Sequence, residues 1–319
     1  MPGYDVEQLR SHFPSLESGI AHFDGPGGTQ TPRQVGAAIA EVLTGPLSNR
    51  GTVSASESNA EAAIAAFRAA GADLLGVPAA GVVYGRSATQ LAYDFSRALA
   101  KGWGPGDEVV VTRLDHDSNV RPWVQAAEHV GATVRWVDLD PATAELDPAS
   151  LDTAITDRTR LVAVTAASNL LGTMPDLAGI AAAAHSVGAL VYVDAVHYAA
   201  HHLVDVPGLG ADLLMCSPYK FLGPHCGMLA GDPTLLEQIR PDKLAPSTDD
   251  VPERFELGTL PYETMAGVAA AIDFLAAIAP GEGPDRRARL ASSFAAIDAH
   301  EVRLRERVEA GLAERPDAF

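Results

Sequence analysis

Residues 189–220 read ALVYVDAVHYAAHHLVDVPGLGADLLMCSPYK, and two apolar runs inside them decide the architecture. ALVYV (189–193) ends at Asp194, with His197 three residues on; LLMC (213–216) ends at Ser217, Pro218, Tyr219 and Lys220. A short run that is apolar at every residue fits a strand covered on both faces. Upstream, LVAVT (161–165) ends at Ser168 and Asn169, and the spacing predicts a helix over 176–187. Further strands are expected at Val82–Tyr84, Glu108–Thr112 and Thr133–Val137, and one more at Met228–Ala230. Helices are expected on Leu91, Phe95 and Leu99 and over Trp123–Val130. Strands alternating with helices of about 10–15 residues imply right-handed crossovers and a mostly parallel sheet. The expected fold class is therefore α/β, a three-layer sandwich.

The flanks are different. HFDGPGGTQTP (22–32) is dense in Gly and Pro and reads as loop, preceded by a short helix around Val6–Phe13. From Pro32, the positions Val35, Ala38, Ile39, Val42 and Leu43 form one helical face. Ser58 with Glu61 gives a capping-box pattern for a helix running to Leu75. KLAPSTDDVPERFELGTLPYE (243–263) reads as a long surface loop. An apolar helix is expected over Thr264–Ile278, a break at Gly281–Pro284 and a long charged helix over Asp285–Leu312. The expected division is 1–45 as N-terminal segment, 46–284 as the large domain and 285–319 as a connecting helix leading to a further domain.

Composition removes several classes. With 319 residues, 47% hydrophobic and 20% charged, the chain is neither disordered, collagen-like nor a coiled-coil rod. A net charge of −18 repels phosphate backbones, so no nucleic acid partner is expected. Cys216 and Cys226 are too few for a disulfide scaffold or a four-thiolate metal site. No basic stretch followed by an apolar one opens the chain, and no apolar run approaches the roughly 20 residues that span a bilayer. A cytoplasmic location without membrane attachment is the expectation.

In doubly wound sheets, ligands bind beyond the carboxyl ends of the strands. Polar residues follow five strands here: Arg86–Gln90, then Asp115, His116 and Asn119, then Ser168 and Asn169, then Asp194 and His197, then Ser217–Lys220. A lysine at a strand end in apolar and aromatic surroundings can have a lowered pKa and form an imine. A carboxylate on a neighbouring strand can keep a pyridinium nitrogen protonated, and together these are a protein's contribution to pyridoxal phosphate chemistry. The phosphate needs a helix N-terminus, which the Ser87–Gln90 turn supplies. His116 is the candidate to stack on the ring. No G-x-G-x-x-G opens a helix, which leaves a nicotinamide enzyme a weak reading.

These residues resemble the class V aminotransferase group of fold type I pyridoxal phosphate enzymes, and within it the cysteine desulfurase-like branch. The resemblance rests on HFDGPGGTQTP, NRG (49–51), LDHDSNVRPW (114–123), SNLLGT (168–173), VDAVHYAAHHLVDVPGLGAD (193–212), SPYKFLGPHCG (217–227) and RFELGTLPYE (254–263), in the family's order and spacing. It implies pyridoxal 5′-phosphate as cofactor, an amino acid as substrate and a homodimer. Lys220 and His116 would be catalytic, Lys220 as the imine-forming lysine. Asp194 would pair with the ring nitrogen, and Asn169 and His197 would lie near the ring hydroxyl. Ala88, Thr89, Ser217 and Tyr219 would surround the phosphate. Gly258 and Thr259 would reach the phosphate of the neighbouring subunit, and His22, Gly28 and Arg50 would border the substrate.

Four positions, in three segments, depart from the branch. Ser87-Ala88-Thr89 stands for its Gly-Thr-Thr turn, His197 for its glutamine and Tyr219 for its histidine. The turn lacks one hydroxyl and keeps its backbone N–H, while His197 and Tyr219 bear on the substrate and leave the cofactor reading intact. The family's long helix is followed by a C-terminal domain with an arginine for the substrate carboxylate and, in desulfurases, a persulfide-forming cysteine. The expectation is that this small domain is truncated here. Cys216 and Cys226 are expected to be packing residues. His197, His201 and His202 have metal-like spacing, but the cofactor accounts for their segment and no metal is expected. The expected activity is C–S cleavage or a related elimination or transamination. The alternative is a non-catalytic fold relative that binds the cofactor or a partner without turnover.

Overall fold

The computed structural model describes residues 4–279, 281 and 283–315. Seven strands form one sheet: β1 (Val82–Gly85), β2 (Glu108–Thr112), β3 (Thr133–Val137), β4 (Thr159–Thr165), β5 (Leu190–Asp194), β6 (Leu213–Cys216) and β7 (Gly227–Gly231). Their order across the sheet is β1-β7-β6-β5-β4-β2-β3. β7 runs antiparallel to both β1 and β6, and every other pairing is parallel. β1 therefore points the same way as β2 to β6, and the carboxyl ends of all strands but β7 share one edge. This is the α/β fold with a mostly parallel sheet that the apolar runs imply.

Both faces of the sheet are covered, and the strand pleat sorts side chains between them. Val162, Val164, Val191, Val193, Leu214 and Met228 belong to one buried cluster, packed with Ile64, Phe67 and Leu74 of the Ala55–Leu75 helix and Met265 of the Tyr262–Ala276 helix. Leu161, Ala163, Tyr192, Met215 and Leu229 belong to the other, packed with Phe95 of the Ala88–Ala100 helix and Trp123 of the Arg121–Val130 helix. β3 is the exception. It is an edge strand, and Trp136 on it is partly exposed with the Arg113 guanidinium 4.9 Å from its ring.

Two local expectations need correction. The capping box is Ser54 with Glu57, not Ser58 with Glu61: Ser54 Oγ accepts from the Glu57 N–H, and the Glu57 carboxylate accepts from the Ser54 N–H. Asn59, beside the expected cap, already lies inside the helix and donates to the Pro46 carbonyl. The 243–263 segment is not simply a surface loop, because Arg254, Phe255, Leu260 and Tyr262 are buried and Phe255 stacks on Phe95 with ring centroids 4.9 Å apart. Short helices at Pro148–Ala154, Tyr198–His201 and Pro233–Gln238 break runs too brief to show periodicity. The expected break at Gly281–Pro284 lies partly outside the described residues, as do residues 316–319 of the expected 285–319 segment. Among the described residues, no helix is long and apolar enough to cross a membrane.

Candidate active site

The shared strand edge opens into a cavity of about 320 Å³. It is lined by Ser87, Ala88 and Thr89 beyond β1, His116 and Ser118 beyond β2, and Thr165, Ala167 and Asn169 at β4. Asp194, Val196 and His197 come from β5, and Ser217, Tyr219 and Lys220 from β6. Pro26 and Gly27 of the Gly-rich opening loop close one side.

Asp194 is the last residue of β5, flanked in register by Thr165 of β4 and Met215 of β6. It is 5% exposed, and its Oδ1 accepts one hydrogen bond, from the Val196 N–H at 2.8 Å. It makes no ion pair among the described residues. Burial lifts its pKa to about 6, against the backbone hydrogen bond and the nearby His116 and Lys220. A carboxylate this poorly solvated is stabilised by a cation delivered into the cavity.

Lys220 ends the short 3-10 turn Pro218–Lys220 that follows β6. Its Nζ donates to the Pro26 carbonyl and lies 5.1 Å from the centre of the Tyr219 ring. Burial pushes its pKa down, with Asp194 opposing. That favours the free amine, the form that attacks a carbonyl carbon or takes up a proton. Tyr219 is itself stacked on His225, with ring centroids 4.8 Å apart. Its carbonyl accepts from the Thr29 N–H at 2.9 Å and the Thr29 Oγ1 at 3.1 Å, tying the opening loop to the lysine turn.

On the cavity wall contributed by β1, Ser87 caps the Ala88–Ala100 helix through an Oγ that accepts from the Gln90 N–H at 3.0 Å. The first N–H groups of a helix have no partner within it, which leaves those of Ala88 and Thr89 for an anion. Gly227 of β7 makes this approach possible. A Cβ there would lie 2.4 Å from the Ser87 carbonyl carbon and 2.6 Å from the Ala88 nitrogen.

His116 is held by its own loop, its Nδ1 2.8 Å from Ser118 Oγ and accepting from the Ser118 N–H at 3.1 Å. In the same loop, Asn119 donates to Asp115 at 2.7 Å and accepts from the Trp123 indole N–H at 3.1 Å. Asp115 also accepts from Thr112 Oγ1, and burial raises its pKa to about 7. Asn169 sits on a tight loop closed by the Gly172 N–H to the Ser168 carbonyl, with Gly172 at φ +72°. Burial and the neighbouring His201 lower the pKa of His197.

The fold thus gathers Lys220, His116, Ala88, Thr89, Asn169, Asp194, His197, Ser217 and Tyr219 around one cavity. Other expected residues lie outside it. The Arg50 guanidinium grips Glu61 at 2.9 and 3.0 Å and lies 3.4 Å from Glu253. His22 is 3.3 Å from Gln30 Nε2, with its own Nε2 buried and unpaired. Gly28 packs near the Tyr219 ring. Gly258 and Thr259 are exposed, and Thr259 borders a second cavity beside Arg86 and His225. Sequence reasoning missed Pro26, Gly27 and Gly227; the glycine heading an apolar strand was the available signal for the last. Cys216 and Cys226 are 0% and 1% exposed, and burial pushes the Cys226 thiol up to about 12 and that of Cys216 higher.

A buried carboxylate awaiting a cation, a lysine amine with a lowered pKa and a helix N-terminus awaiting an anion face one cavity, and this donor set fits pyridoxal 5′-phosphate. The comparisons agree. The class-V aminotransferase family model matches residues 21–318. An uncharacterized protein of Mycobacterium tuberculosis is 35% identical over 98% of this chain and 79% of its own length. A cysteine desulfurase of Dickeya dadantii is 32% identical, over 98% and 77%. The apo structure of a cysteine desulfurase from Thermococcus onnurineus NA1 superposes with a TM-score of 0.86 at 25% identity, over 98% of this chain and 77% of that one. This chain belongs to the class-V aminotransferase family and is a pyridoxal phosphate-dependent enzyme.

Proposed function

We propose that the chain acts on a small amino acid of the cysteine type, breaking a bond at or next to Cα with Lys220 as the central base. The observation that carries this reading is the placement of Lys220 and Asp194 beyond neighbouring strands of one cavity, Lys220 shifted toward the free amine and Asp194 a poorly solvated carboxylate that a ring cation would stabilise. The cysteine side of the reading is supported by the desulfurase relatives.

When bound, pyridoxal phosphate supplies an electron sink for charge that develops at the substrate Cα. The residues of this chain do the rest. Lys220 would hold the cofactor at its aldehyde carbon and, once displaced by the substrate amine, accept the Cα proton on Nζ. Asp194 would keep a positive charge on the ring nitrogen, which in turn relieves its own burial. The Ala88 and Thr89 N–H groups with Ser217 would bind the phosphate. His116 would cover one ring face, its ring held by Ser118 and its loop by the Asp115–Asn119–Trp123 hydrogen bonds. Asn169 and His197 would face the ring hydroxyl. Gly258 and Thr259 would serve the neighbouring subunit of a homodimer. The 46–284 segment would form the cofactor-binding domain, with the first turns of the Arg286–Ala313 helix packed on it through Leu290 and Phe294.

Neither cysteine of this chain offers a thiolate, since reactive thiolates sit in exposed, electropositive surroundings. Sulfur released by this chain alone would therefore leave by direct elimination. The test is Cα–H exchange into deuterated water by the cofactor-loaded protein with cysteine and alanine. The parent should exchange, Lys220→Ala should not, and Asp194→Asn should be slower by at least about a hundredfold. Equal exchange by Lys220→Ala and the parent would overturn the reading.

A further inference from the structure

β1 is an edge strand, so among the described residues one side of its backbone has no ladder partner. On that strand, the Tyr84 N–H donates to a side chain: Glu256 Oε1, at 2.9 Å and from 172 residues along the chain. The other carboxylate oxygen accepts from Arg68 Nη2 at 2.8 Å. The Glu256 side chain is 2% exposed and that of Arg68 9%, so the pair is desolvated. The same Arg68 nitrogen lies 3.4 Å from Glu253, and Glu253 in turn lies 3.4 Å from Arg50. Arg50 closes the chain on Glu61. Arg68 and Glu61 both lie on the Ala55–Leu75 helix, while Glu253 and Glu256 belong to the 243–263 segment.

A buried charged pair contributes little net stability, yet breaking it by removing one partner is costly. Its value here is geometric. Three residues beyond Tyr84 stands Ser87, the cap of the helix whose N-terminus faces the cavity. Gly227 seats this turn from the β7 side, with no room to spare. On the free edge, the strand meets the Glu256 carboxylate through the Tyr84 N–H.

We propose that Glu256, held by Arg68, is a positioning residue for phosphate recognition: it substitutes for a missing strand partner of β1 and thereby sets the Ser87–Thr89 turn at the distance the cofactor phosphate requires. Arg50, in this view, is an anchor of the same chain of charges and does not face the substrate. The proposal rests on the assignment of the Ser87–Thr89 turn to the phosphate.

The test compares the affinity of the protein for pyridoxal 5′-phosphate with its affinity for pyridoxal, which lacks the phosphate, followed by the absorbance change on binding. Glu256→Ala should weaken pyridoxal phosphate binding at least about tenfold and leave pyridoxal within twofold. Glu256→Gln retains an oxygen for the Tyr84 N–H and should recover most of the loss, keeping a weakening of about threefold. A general loss of structure would lower both affinities together, and that result, or an unchanged ratio in the glutamine variant, overturns the proposal. If the alanine variant does not fold, the ratio in the glutamine variant decides alone. A parent protein that binds both ligands equally would instead overturn the phosphate assignment itself.

Discussion

Asp194 shows how one residue can be unfavourable for the fold and necessary for the site. Its ordinary pKa of 3.8 rises to about 6 in the folded chain. A carboxyl raised in this way stabilises the fold only while protonated. Its contribution is fully present below about pH 3.8 and is lost as the pH rises through about 6. Without cofactor, Asp194→Asn should therefore stabilise the protein at pH 8, by about 1–3 kcal/mol, and make no difference near pH 4. Thermal melts at the two pH values check this, and a variant less stable than the parent at pH 8 would contradict it. The residue was legible in the sequence because an apolar strand ends on it. So were Lys220 and His116, which follow apolar strands by four residues. Arg50 and His22 were not, because they lie in loops, where no periodicity indicates what a side chain will meet. Arg50 meets two carboxylates, one of them 203 residues away.

Strands and long helices could be read to within a few residues, since their apolar patterns are long enough to define a period. The sequence misleads where charge is buried in pairs. The 243–263 segment looks solvent-exposed by composition, yet it carries Glu256 into contact with Arg68 and the edge of β1. Glu108 is a second case, at the start of β2. Its side chain is 4% exposed, and it accepts from Arg135 of β3 at 2.9 Å and from Arg158, just before β4, at 2.7 Å. Together with Thr156, these hold its pKa down to about 2 from an ordinary 4.5. The stabilisation is present above pH 4.5 and is lost as the pH falls toward about 2. Glu108→Gln should lower the melting temperature by about 2–6 °C at pH 7 and flatten its decline between pH 4.5 and 2. An acid decline as steep as that of the parent would show that other carboxylates dominate this range.

At the scale of the molecule, the decisive feature is that all strands but β7 point one way. Polar residues scattered from Ser87 to Lys220 along the chain meet because they end or closely follow strands that point to the same edge. The sequence indicates a mostly parallel sheet through its alternation of strand and helix. It does not indicate the strand order, which is set by contacts between distant segments. Nor does it show that β1 is joined to the sheet through the antiparallel β7, which brings Gly227 against the Ser87 turn. This arrangement would make Lys220 the attachment point of the cofactor. The other lysines are occupied elsewhere: Lys101 pairs with Asp242 at 2.7 Å, and Lys243 donates to the Ser247 carbonyl at 2.8 Å. Borohydride reduction of the pyridoxal phosphate-loaded protein, followed by peptide mapping of the whole chain, tests the claim most directly. The account predicts the pyridoxyl group on the peptide containing Lys220 and on no other; its appearance on Lys101 or Lys243, with Lys220 unlabelled, would contradict it.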